Sequence, residues 1–162
     1  MDTPVKKQRS ANDHTIVIER HLDHPPHMVF FAYSDPQAKA AWFRGPPDWD
    51  IQPHHMDFRV GGREVSAGGP KGGFVSTYDS TFLEIVPDER IINAFSMNVD
   101  GKIITASLAT TQFRASGTGT DIRLIEQIVF LDGADHLEQR IEGTSAVFDM
   151  LGDWLDKQGA RA

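Results

Sequence analysis

Glu126 is the ionisable residue best placed to do chemistry in this chain. It lies in the run Asp121–Leu131, where it shares strand parity with Ile122, Leu124, Ile128 and Phe130, and so faces the same way as four apolar side chains. A carboxylate on such a face loses hydration, and its pKa rises unless a partner compensates. It could orient a ligand hydroxyl or act as an acid or base; the plainer alternative is a structural pair with an arginine or tyrosine, or a place at a cavity mouth. Asn93 shares parity with Ile91, Phe95 and Met97 and offers either a neutral hydrogen bond to a ligand or a bond to backbone near a turn. Tyr78 shares parity with Phe74 and Phe82, and a buried phenol needs a partner. Arg114, near a strand end, faces solvent or the same interior. Trp42, Phe43, Trp49 and Trp154 either line an entrance or fill the core.

Other chemistries lack their residues. His21, His24 and His27 recur every third position, but the set crosses a strand end, two prolines and a helix start. His54 and His55 are adjacent, so on a strand they face opposite ways. No HExxH or two-His-one-carboxylate spacing occurs, and no metal site is expected. The Gly-rich stretch from Gly61 to Gly73 lacks the Gly-Lys-Ser/Thr ending of a phosphate loop and reads instead as mobile hairpins at a pocket rim. No serine stands in a nucleophile-elbow context. No cofactor is expected.

The elements that must position these residues follow from periodicity and turn chemistry. Thr15–His21 is rich in β-branched residues and predicts a strand. Asp23 or His24 before Pro25-Pro26, and Asp35 before Pro36, predict the starts of two short helices, with Asp35 as N-cap of the second, which ends near Trp42-Phe43. From Trp49 to Leu131 the pattern is β throughout, with one apolar face expected over Met56, Phe58 and Val60 and one long bent strand over Phe74–Val86. Asp100-Gly101 is a two-residue hairpin signal. Leu137, Ile141, Thr144, Phe148, Leu151 and Leu155 then recur at three to four residues, predicting a long amphipathic helix over Asp135–Lys157. A curved sheet cannot bury its concave face alone; one helix laid across it leaves room for an apolar ligand.

Composition bounds the answer. The 162 residues, 40% of them hydrophobic, suit one domain with one sizeable core, expected over 14–157 between tails at 1–13 and 158–162. No apolar run approaches the roughly 18 residues a membrane span needs, so no membrane insertion is expected. Without cysteine there is no disulfide or thiolate chemistry, and a cytoplasmic protein is the simplest reading. A net charge of −7 disfavours nucleic acid as partner.

The chain resembles the START-like helix-grip (SRPBCC) superfamily, and within it the branch named after the activator of the heat-shock chaperone ATPase. The resemblance covers roughly 14–157. It rests on Asp23-His24-Pro25-Pro26 with Val29-Phe30, Ser34-Asp35-Pro36 with Trp42, Phe58-Arg59-Val60-Gly61-Gly62, Leu83 through Ile91, Gly119-Thr120, and the last helix with Gly143 and Leu151. It implies an α+β fold: a curved antiparallel sheet of about seven strands wrapped around a long C-terminal helix, with two short helices after the first strand. It also implies binding of a hydrophobic or amphipathic small molecule in an internal cavity. Glu126, Asn93, Tyr78, Phe58, Phe95, Trp42, Phe148 and Leu151 are the expected ligand-binding residues. A cyclase- or hydrolase-like enzyme using the same cavity is the first alternative. A regulator of a heat-shock chaperone ATPase, with the stress-response role that entails, is the second. Exposed edge strands and aromatic residues in the short helices allow a homodimer.

Overall fold

Turn chemistry and strand alternation set out the element order. The computed structural model describes residues 9–159. Strand β1 (Ala11–Leu22) leads into helices α1 (Pro26–Ser34) and α2 (Pro36–Trp42). Seven strands follow: β2 (Asp50–Ile51), β3 (His55–Met56), β4 (Arg63–Gly69), β5 (Ser76–Val86), β6 (Arg90–Val99), β7 (Lys102–Ser116) and β8 (Gly119–Leu131). Helix α3 (Leu137–Gly159) ends the described chain. Within the expected N-terminal tail, residues 1–8 lie outside the described residues, while Ala11–Asp13 already belong to β1. Of the expected C-terminal tail, 160–162 lie outside the described residues, and α3 runs on through Gly159.

The strands form one antiparallel sheet in the order β1-β8-β7-β6-β5-β4-β2, with β3 also paired to β4. It has eight strands, in keeping with the about seven expected. The extra one arises because the stretch around Met56 does not form a single strand: β2 and β3 hold only two residues each. The one-face pattern expected from Met56 to Val60 fails with it. Met56 is buried, Phe58 half-buried, and Val60 stands 58% exposed in the turn that follows. Polar groups account for that turn. Gly61 takes φ 81°, a left-handed conformation open to glycine, and the Gly61 N–H and Gly62 carbonyl close bonds of 2.8 and 3.0 Å with the backbone of Phe82.

Other local signals hold. Asp100 and Gly101 both take positive φ (51° and 82°), as a tight β6–β7 hairpin requires. The Asp35 carboxylate accepts from the Ala38 N–H at 2.9 Å, capping α2. The bend in β5 is a bulge between Phe82 and Glu84, which turns Leu83 outward to 50% exposure.

Across β8, β7, β6 and β5, directly paired residues put Glu126, Ala109, Asn93 and Phe82 on one face. The core lies on that face, closed by α1 and by the second half of α3, whose Phe148, Leu151 and Leu155 are buried. The first half of α3 is different. Ile141, on the expected apolar stripe, is 39% exposed, and Gly143 and Ala146 are exposed as well. Among the described residues no helix is long and apolar enough to cross a membrane.

Candidate functional site

Because the fully buried side chains of α3 all lie in its second half, and only Leu137 packs on the core from its first turn, space remains between the first half and the sheet. A cavity of about 830 Å³ occupies it. One wall is the concave face of β4–β8, another is His136 with α3 as far as Met150, and the third is the end of α2 with the loop after it. The lining is mainly apolar and aromatic, including Trp42, Phe43, Phe95, Met97, Val147 and Phe148.

Three hydrogen-bonded clusters of polar side chains stand out in it. The first holds Glu126, which is 3% exposed. Arg140 reaches across from α3, its Nη1 donating to Glu126 Oε2 at 2.7 Å and its Nη2 to Thr105 Oγ1 at 2.6 Å. Ser107 Oγ donates to the same carboxylate oxygen at 2.8 Å. The parity argument for Glu126 is correct, and the plainer alternative, a pair with an arginine, is what the fold contains. This pair also ties the open half of α3 to the sheet.

The second group joins Asn93, Tyr78 and Ser80. Asn93 donates through Nδ2 to Tyr78 Oη and to Ser80 Oγ, both at 2.9 Å. The Tyr78 ring lies between Phe43 and Phe95, with centroids 4.8 and 4.7 Å away. Burial, with the Glu64 charge adding to it, holds the Tyr78 phenol well above its ordinary value, so it stays neutral. Its oxygen accepts from Asn93, and the Ser80 hydroxyl also lies within hydrogen-bonding reach of it.

The third group is one the sequence reading missed. Glu64, fully buried on β4, accepts from Lys39 Nζ at 3.1 Å and from His54 Nε2 at 2.7 Å. Burial alone would raise the Glu64 carboxyl; the Lys39 charge and the His54 bond outweigh that and hold it below its ordinary value. Lys39 is itself 5% exposed and faces the rings of Phe43, Tyr33 and Trp42 at 4.5, 5.1 and 5.6 Å. Burial, with the Glu64 charge behind it, also raises the Tyr33 phenol. A lysine in a short helix reads as a solvent residue, which hides this cluster. The available signal was the hairpin register: Glu64 pairs with Ser80, on the same side of β5 as Tyr78.

Six of the eight expected binding residues border the cavity: Glu126, Asn93, Tyr78, Phe95, Trp42 and Phe148. Phe58 and Leu151 do not. Phe58 packs edge-on between Phe30 and Phe82, at 5.8 and 5.0 Å, because the Gly61-Gly62 turn folds it into the core beside α1. Leu151 is fully buried at the seated half of α3. Trp49 borders the cavity, whereas Trp154 lies in a separate surface groove with Met28 and Phe31. Arg114 is in solvent, its side chain 82% exposed. Among the described residues no group of three His, Cys, Asp or Glu side chains is arranged to hold a metal.

Residues 23–156 match the family model described as activator of Hsp90 ATPase homolog 1-like protein. No curated protein matches the chain. Among solved structures, an uncharacterized protein of Rhizobium leguminosarum is 40% identical, covering 93% of this chain and 99% of its own, with a TM-score of 0.89. Protein Mll3558 of Rhizobium loti is 36% identical over 90% of this chain and 99% of its own, with a TM-score of 0.82. The AHSA1-like protein of Aeromonas hydrophila, at 23% identity and a TM-score of 0.68 over 90% of this chain and 94% of its own, shares the fold.

Proposed function

The chain belongs to the activator of Hsp90 ATPase homolog 1-like family, and from that premise we propose that it binds an amphipathic small molecule in the cavity between the sheet and the first half of α3. The observation that carries this reading is a cavity of about 830 Å³ with a largely apolar lining that includes the hydrogen-bonded Tyr78 phenol. Apolar burial would supply most of the affinity, at about 25 cal/mol per Å² removed from water. The Tyr78 hydroxyl, fixed by Asn93, would donate to a carbonyl or hydroxyl oxygen of the ligand and set its orientation. Glu126 serves this reading by holding Arg140, and through it α3, in place. The setting assumed is the cytoplasm.

The test is mass spectrometry of an organic extract of the natively purified protein, followed by titration of what it releases into wild type and Tyr78→Phe. A stoichiometric amphipathic compound, bound about 5- to 50-fold more weakly by Tyr78→Phe as the loss of a buried hydrogen bond predicts, supports the reading. An empty protein that also takes up no member of a hydrophobic panel refutes it.

A further inference from the structure

The charges around the cavity do not cancel, and the imbalance points to a ligand class. Two carboxylates border it, Glu64 and Glu126, and each is already matched: Glu64 by Lys39 at 3.1 Å and Glu126 by Arg140 at 2.7 Å. Neither of these cations can accept a ligand anion without giving up a buried partner, and stranding that partner is costly. A third cation borders the same cavity. Arg44, in the loop after α2, is half-buried and makes no ion pair among the described residues.

Its position suits a head group. Arg44 is followed by Gly45, over which the Trp49 ring lies so closely that a Cβ at Gly45 would strike Trp49 Cε3. Trp49 in turn meets Phe74 edge-on at 5.6 Å, and Phe74 is 42% exposed. Pro46 and Pro47 beside them are exposed. Arg44 therefore stands where the cavity wall passes from buried aromatic rings to solvent. A guanidinium there keeps part of its hydration while free, so leaving it unpaired costs little; a bound carboxylate would engage it through two parallel N–H donors. The net charge of −7 sharpens the point. An anion gains nothing from the field of the whole molecule, so an anionic ligand needs a local cation within about one Debye length, ~8–10 Å.

We infer that the cavity takes an anionic amphiphile, a carboxylate with an apolar chain, with its head group on Arg44 at the mouth and its chain inside. The inference rests on the cavity-binding reading above and adds the charge of the ligand to it. Tyr78 and Asn93 then meet a polar substituent along the chain, not the head group.

The test uses three probes that share a chain and differ in charge: dodecanoate, dodecan-1-ol and dodecyltrimethylammonium. Binding is followed by emission of the wall residues Trp42 and Trp49 and confirmed by calorimetry. Wild type is expected to bind dodecanoate about tenfold more tightly than the alcohol, equivalent to about 1.4 kcal/mol, and the ammonium least well. Arg44→Gln should remove that margin while leaving the alcohol's affinity unchanged, and Arg44→Lys should keep part of it. Equal binding of dodecanoate and the alcohol by wild type overturns the inference but leaves the cavity reading intact. So does a margin that survives Arg44→Gln or is lost in Arg140→Gln instead. If none of the three probes binds, the cavity reading and the inference fall together.

Discussion

Replacing Glu64 by glutamine tests whether the buried Lys39–Glu64–His54 cluster is a balanced network or a set of independent contacts. The substitution keeps the shape and removes one charge. Lys39, 5% exposed, then keeps a buried ammonium without its counter-ion. Breaking a buried pair from one side costs about 3–5 kcal/mol. The three aromatic rings around Lys39 Nζ offset part of that, each by about 0.5–2 kcal/mol, so the lower end is expected. For a chain of this size about 3 kcal/mol lowers the melting temperature by roughly 6–12 °C. The double variant Lys39→Met, Glu64→Gln removes the stranded charge and should recover at least half of the loss. The same cluster sets an acid limit. The Glu64 carboxyl lies below its ordinary value of 4.5 in the folded protein, so its contribution is complete above that value and is lost as the pH falls through the lower, folded one. Urea midpoints followed from about pH 7 to about pH 3 should therefore fall more steeply for wild type than for Glu64→Gln. Parallel slopes would refute the argument, as would a single variant within about 0.5 kcal/mol of wild type, the range of an ordinary surface change.

Three further outcomes are expected. Leu151→Ala, at a fully buried position on the seated half of α3, should cost about 2–5 kcal/mol by urea titration, while Ile141→Ala on the open half should stay near 0.5 kcal/mol. Gly69→Ala should destabilise by more than about 1 kcal/mol, because a Cβ there would overlap the Phe74 carbonyl oxygen; Gly143→Ala, with nothing near its Cβ, should be neutral or stabilising by up to about 1 kcal/mol. Arg140→Met should speed amide hydrogen exchange in residues 137–147 with little change in 148–157, since the Arg140 bonds to Glu126 and Thr105 join the open half to the sheet.

What the sequence made legible was whatever depends on local pattern. Alternation in Asp121–Leu131 is enough to turn Glu126 inward, and the same holds for Asn93 and Tyr78, because the bulges in β5 and β6 fall beyond those positions. Asp35 and Asp100-Gly101 declare a cap and a turn by side-chain and backbone chemistry alone. The stretch from Trp49 to Gly62 was misread because two-residue strands carry no periodicity, and Phe58 and Val60 are placed by a turn rather than a pleat. Lys39, His54 and Glu64 were missed for another reason. They come from a helix, an irregular stretch and a strand, 10 to 25 residues apart, and only the β4–β5 register brings them together.

The division of α3 has an evolutionary consequence. The turns that hold this protein together and the turns that face its cavity lie on one helix and meet at Phe148, which is buried in the core and also borders the cavity. Phe148, Leu151 and Leu155 carry the packing, whereas Gln139, Gly143 and Ala146 border the cavity and are exposed. A substitution at these exposed positions alters what the cavity can hold while leaving most of the folding free energy untouched. A shared scaffold can therefore carry cavities of different shape through drift along a few helical turns, and similarity in fold constrains the contents of such a cavity only weakly.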